Sequence, residues 1–235
     1  MATKLNWHLV CIYAKTSNVA RHIQGKLNQL MQDLPEGLLV DAAWLEKRGY
    51  SRALRGHYVS AGWLALVAPR VYWRRPASLT NAEPTITWQQ VVVSLQLMLR
   101  SQLVVGGRTA LDLQGFAHYL SHRQHTVHLY GPKPPPAWVS LLPVDTVFRY
   151  HNSVKLFRHS AELKASGAVG YDTSPGHLDA QLQWLASGHR EWSLAVCRPE
   201  RAILEFLDAL PTQESFEHAD KIMRSEEHTS ELQSH

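Results

Sequence analysis

Cysteine is almost absent. Cys11 and Cys197 are the only two in 235 residues, which excludes a disulfide scaffold and a four-cysteine zinc site. Long apolar runs are missing too. The best, Val91-Val92-Val93 and Leu103-Val104-Val105, fall far short of the roughly 18 residues that a membrane span requires. Trp7–Ala14 is too short and too mixed to serve as a signal peptide, with His8 inside it. These gaps fit a cytoplasmic, reducing setting with no membrane partner. Hydrophobic residues nevertheless make up 45% of the chain, enough to bury a core and to exclude a wholly disordered protein.

Acid is scarce in one place. Residues 42–75 hold Lys47, Arg48, Arg52, Arg55, Arg70, Arg74 and Arg75 against Glu46 alone, although the whole chain carries a formal charge of only +4. A local excess of one sign is the footprint of a polyanion-binding surface, or of an ordinary solvated basic face.

The ends read differently from the middle. Residues 1–25 form an N-terminal extension of uncertain status. Residues 224–235, from Arg224 to His235, match codon by codon the translation of a common short-read sequencing adapter. The stretch is therefore left out of fold reasoning.

From Lys26 the pattern sharpens. Leu27, Leu30, Met31 and Leu34 fall on one face of a helix, and Pro35-Glu36-Gly37 stops it. Leu38-Leu39-Val40 is a short apolar run that suits one small strand. Asp41 is placed to cap a second helix over Ala42–Arg48, and Ser51 a third over Arg52–Ala61, ended by Gly62. Trp63–Val67 and Val71–Arg75, around Ala68-Pro69-Arg70, read as a hairpin. Helix, helix, turn, helix and hairpin make a winged helix-turn-helix over 26–75. Residues 76–84 read as a linker.

The remainder, 85–223, mixes elements without a repeat. Helices are expected over Trp88–Ser101, Thr109–Leu120, Leu178–Ala186 and Pro199–Leu210. Strands are expected at Leu103–Val105, Thr126–Tyr130 and Thr146–Tyr150. The fold class is therefore α+β.

In a helix-turn-helix the second helix of the pair enters the major groove and neighbouring elements hold phosphates. On a helical wheel Leu54, Tyr58 and Ala61 face a core. Arg52 and Arg55 lie away from them, with His57 at the edge. A guanidinium fork can pair with guanine O6 and N7. Ser51 and the N–H groups of the helix start suit a phosphate. Arg70 marks the hairpin tip, and Arg74 and Arg75 its exit. The expected DNA-binding set is thus Lys47, Arg48, Ser51, Arg52, Arg55, His57, Arg70, Arg74 and Arg75. The same unit would also serve as a protein-interaction module.

Other constellations are weaker. His118, His122, His125 and His128 cluster, and the i, i+4 pair can share an ion, but no carboxylate lies between them in the zincin manner. Asp145 with Glu162 and Lys164 has the skeleton of a Mg²⁺-dependent nuclease, in flanks unlike a strand. Gly106-Gly107-Arg108-Thr109 sits where a phosphate loop would, without the lysine of one; a tight turn capped by Thr109 fits better. No cofactor, metal site or enzymatic activity is expected.

Several stretches together resemble the antitoxins of the AbiEi type. They are Trp44-Leu45, Gly49-Tyr50-Ser51-Arg52, Tyr58–Leu64, Val71-Tyr72, Val105–Leu111, Leu113-Gln114-Gly115, Ala117–Leu120 and Pro199–Glu205. The resemblance implies a bacterial regulator that represses its own operon through the winged helix. A larger second domain would neutralise a nucleotidyltransferase toxin without needing a stable complex. It further implies double-stranded operator DNA as partner, a possible dimer on that DNA, and a second domain truncated after Met223. The family turn carries a glycine just before the Val-Tyr pair, whereas this chain has Ala68-Pro69-Arg70.

Overall fold

The computed structural model describes residues 25–76, 85–116, 125–157, 181–186, 192–212, 214–217 and 219–220. The N-terminal extension, residues 77–84 of the expected linker, His118, His122, Glu162, Lys164 and the stretch 224–235 lie outside the described residues.

The first unit is built on local signals. Helix α1 (25–33) buries Leu27 and Leu30, and Leu34 continues the same apolar face just beyond it. Strand β1 (Leu39–Asp41) follows and leads directly into α2 (Ala42–Lys47). The Asp41 side chain accepts from the Trp44 N–H at 2.8 Å, as expected of an N-cap. A two-residue turn then enters α3 (Arg52–Ser60), where Ser51 Oγ accepts from Leu54 N–H at 3.2 Å. Gly49 makes this turn with φ +80°, a conformation that costs glycine little. Gly62, just past the end of α3, has φ +81°.

Strands β2 (Leu64–Ala68) and β3 (Val71–Arg74) form the hairpin. With β1 they make an antiparallel sheet in the order β1-β3-β2. Leu39, Trp73 and Ala65 stand in one row across it, and Val40, Tyr72 and Leu66 in the next. Arg70 occupies the turn with φ +63°. It takes the left-handed position that a glycine would hold, at a cost.

The second unit centres on a mixed sheet in the order β6-β5-β4-β8-β7. Its strands are β4 (Val104–Val105), β5 (His125–Gly131), β6 (Thr146–Asn152), β7 (Leu182–Ala186) and β8 (Ser193–Cys197). The β5·β6 and β4·β8 pairs are parallel; β4·β5 and β7·β8 are antiparallel. Alternation along the strands sorts the side chains. Val104, Tyr130, Ala195 and Cys197 pack with α5 (Gly107–Leu113) and the helix Pro199–Asp208 on one face. Val105, Leu129, Leu194 and Val196 share a second buried cluster with α4 (Trp88–Val93) and the core of the first unit. That cluster runs from Leu27 through Trp73 to Val196, so the two units share buried surface across 76–84. Within it, Leu39 N–H donates to Ser94 Oγ at 2.9 Å.

Four expectations of the sequence reading change. Residues 182–186 form a strand rather than the end of a helix, because Leu182–Ala186 completes an antiparallel ladder with β8 that no local propensity reveals. The helix from Trp88 passes at Ser94 into a π-helical turn (Ser94–Met98). Its Gln96 amide bonds Leu103 O, Ala195 O and Ala195 N–H, and this bridging explains why the segment departs from a regular helix. Helix α5 starts at Gly107, two residues before expectation. Thr109 caps nothing and instead accepts from His128 N–H at 3.0 Å. Among the described residues, no helix is long and apolar enough to cross a membrane.

Candidate functional site

The expected basic residues divide by what their charges touch. Lys47, Arg48, Arg52, His57 and Arg70 are exposed, as is Ser51. They gather on α2, the turn after it, α3 and the tip of the hairpin. Arg48 lays its guanidinium 3.7 Å from the centre of the Trp44 ring, which holds the charge flat against α2 while leaving it open to solvent. Ser51 spends its hydroxyl on the cap of α3.

Two arginines do not belong with them. Arg55 is only 5% exposed. Its Nη1 donates to Tyr50 O at 2.9 Å and its Nη2 to Glu46 Oε1 at 2.9 Å, and its guanidinium carbon lies 5.9 Å from the Tyr72 ring centre. The helical-wheel assignment fails here because position 55 lies beside Leu54 and Tyr58 on the inward face. The charge is buried with charge-assisted partners, so no base-reading role is left to it. Arg74 is turned inward as well. Its Nη1 donates to Met31 O at 2.6 Å and to Leu34 O, and its Nη2 lies 3.6 Å from Glu36. It caps the carbonyl end of α1, where a cation is favourable. Arg75 is half-buried, and its Nε has no hydrogen-bond partner among the described residues.

One residue was missed. Lys26, from α1, reaches the helix–turn–helix corner. Its Nζ donates to Arg48 O at 3.4 Å and sits 5.4 Å from the Tyr50 ring centre. No local signal could place it there, since Arg48 lies 22 residues away. Tyr50 closes the same corner: its hydroxyl donates to Lys26 O at 3.2 Å, and burial pushes its pKa up to about 12.

Of the weaker constellations, the described residues place His128, Asp145 and the glycine loop. His128 faces His151, with Nδ1 and Nε2 3.0 Å apart, and the Tyr130 ring stacks on His151 at 4.5 Å. Desolvation drives the His128 pKa down to about 3, and burial lowers that of His151 as well. Among the described residues, no three histidine, cysteine or acidic side chains form a metal cluster. Asp145 is exposed at the start of β6. The glycine loop before α5 is filled from within. Glu205 Oε2 accepts from Gly107 N–H at 2.9 Å, and a Cβ at Gly106 would collide with that carboxylate and with Tyr130. An internal carboxylate stands where a phosphate would, and Arg201 Nε pairs with its other oxygen at 2.8 Å.

Two family models match the chain, and they meet between residues 122 and 124. Residues 23–122 match a model described as the transcriptional regulator, AbiEi antitoxin N-terminal domain. Residues 124–230 match one described as the transcriptional regulator, AbiEi antitoxin, of a type IV toxin–antitoxin system. The second match runs past Met223 to residue 230. The first takes in α4, β4 and α5 together with the helices and hairpin. No curated protein matches the chain. With two such matches covering most of its length, the chain belongs to the AbiEi antitoxin family of transcriptional regulators of type IV toxin–antitoxin systems.

Proposed function

We propose that this regulator binds operator DNA through α3 and the hairpin, working as a winged helix that represses its own operon. One observation carries the reading. The basic side chains left exposed surround a single helix–turn–helix corner, while Arg55, turned inward, braces it and Arg74 caps the end of α1. The element order helix, strand, helix, turn, helix and hairpin, with β1 paired to β3, suits a winged helix. Arg52, in the first turn of α3, is the candidate base reader. Lys47, Arg48, Ser51, His57, Arg70, Arg75 and the newly found Lys26 are candidate phosphate or groove contacts. The second unit serves as the antitoxic half, in the cytoplasm, against a toxin of the nucleotidyltransferase type.

The test is fluorescence anisotropy with a duplex taken from upstream of the gene. Affinity should fall steeply with salt, each phosphate contact adding about 0.9 to the log–log slope. Arg52→Ala should cost about 1–3 kcal/mol on the operator and little on an unrelated duplex. A flat salt dependence would instead favour a protein-binding module.

A further inference from the structure

Glu46 is the single acid among the basic residues of 42–75, and the fold places it between two of them. Its Oε1 accepts from Arg55 Nη2 at 2.9 Å and lies 3.8 Å from Arg70 Nη2. The two contacts differ in kind. Arg55 is buried and doubly bonded, to Glu46 and to Tyr50 O. The Arg70 side chain is 74% exposed and that of Glu46 48%. The backbone of the turn is fixed independently of either side chain, because Ala42 N–H donates to Arg70 O at 2.8 Å. Only the Arg70 guanidinium is free to change partner.

A carboxylate oxygen set between a fixed and a movable guanidinium has the chemistry of a phosphate oxygen held by two arginines. We propose that Glu46 is a resident stand-in for a phosphate of the DNA backbone. In the free chain it holds Arg70 against α2. On the duplex a phosphate takes Arg70, and Arg55 keeps Glu46. An exposed pair at 3.8 Å is weak enough to exchange, whereas the shorter, buried Arg55 contact is not. Glu46 therefore acts as a positioning residue that keeps Arg70 ordered and lowers affinity for any duplex until a phosphate displaces it. This inference rests on the DNA-binding reading above.

The test is a double-mutant cycle on the full chain, measured by anisotropy with the upstream duplex and with an unrelated duplex of equal length. Glu46→Gln keeps a hydrogen-bond acceptor for Arg55 and removes the charge. It should tighten both duplexes by about two- to fivefold. Arg70→Asn suits the left-handed turn position. It should weaken both duplexes and reduce the salt slope by about 0.9. In the double variant the gain from Glu46→Gln should vanish, since nothing remains for the carboxylate to hold back. A Glu46→Gln variant that binds more weakly, or whose gain persists without Arg70, overturns the proposal. If Glu46→Gln does not fold, Arg70→Asn decides alone: an unchanged salt slope overturns it. A wild-type chain that binds neither duplex overturns this proposal and the DNA-binding reading together. Wild-type binding with an unresponsive Glu46 or Arg70 overturns this one only.

Discussion

Arg55 and Arg201 are both almost inaccessible guanidiniums paired to a glutamate, yet their surroundings differ. Arg55 meets a Glu46 that is half-exposed and shared with the hairpin tip. Arg201 meets a Glu205 that is 1% exposed, bonds the start of α5 through Gly107, and accepts at 3.4 Å from the Cys197 thiol. In the first unit the charges sit at the surface, with one buried arginine tying two helices together. In the second they are sealed inside, where burial pushes the Glu205 and Cys197 pKa values up while Arg201 opposes both shifts. Similar residue pairs thus stand at a surface in one region and in a core in the other.

The sharpest way to break this comparison is to remove the sealed carboxylate. Glu205→Ala leaves the Arg201 charge buried and the Gly107 N–H unpartnered. It should cost about 3–5 kcal/mol in a urea denaturation. If the loss is no larger than that of a surface substitution, the second unit does not depend on its internal charges.

Arg74→Ala is the next largest. The guanidinium bonds two carbonyls at the end of α1 and approaches Glu36. Its removal should lower stability by about 2–3 kcal/mol, read as a fall in Tm. The duplex affinity of the folded fraction should hardly change. A uniform loss of DNA affinity at unaltered Tm would restore Arg74 to the interface and erase the distinction between bracing and contacting arginines.

The contrast also explains what the sequence made legible. The caps Asp41 and Ser51, the breaks at Gly49 and Gly62, and the strand at Leu39 were readable because their causes lie within a few residues. Arg55 was misplaced because a helical wheel sorts by polarity, while a buried arginine is decided by partners such as Tyr50 O that the wheel does not contain. The strand at Leu182 depends on pairing with Leu194–Cys197. The Gly107–Glu205 contact spans 98 residues. Neither leaves a periodic trace. Within the site, the exposed residues of α2 and α3 were readable, whereas Lys26 and the role of Glu46 arise only when α1 and the hairpin fold against them.

The smallest effect tests the buried side of the comparison through pH. His128 has a folded pKa of about 3, against an ordinary 6.5, chiefly through desolvation and then through His151, Arg149 and Arg108. Below pH 6.5 the unfolded chain gains a proton that the folded chain refuses, so stability falls as the pH falls. The loss should reach about 1.4 kcal/mol at pH 5.5. Asp112 pulls the other way. Its folded pKa is raised to about 6, chiefly by burial, so its contribution is present at low pH and lost as pH rises from about 4 to 6. An Asp112→Asn background therefore removes one opposing group, and thermal melts between pH 7 and 5 should show the histidine term more strongly. Adding His128→Asn should flatten the curve, apart from what His151 contributes, whose pKa burial also lowers. A curve that stays as steep in the double variant would place the acid sensitivity outside His128.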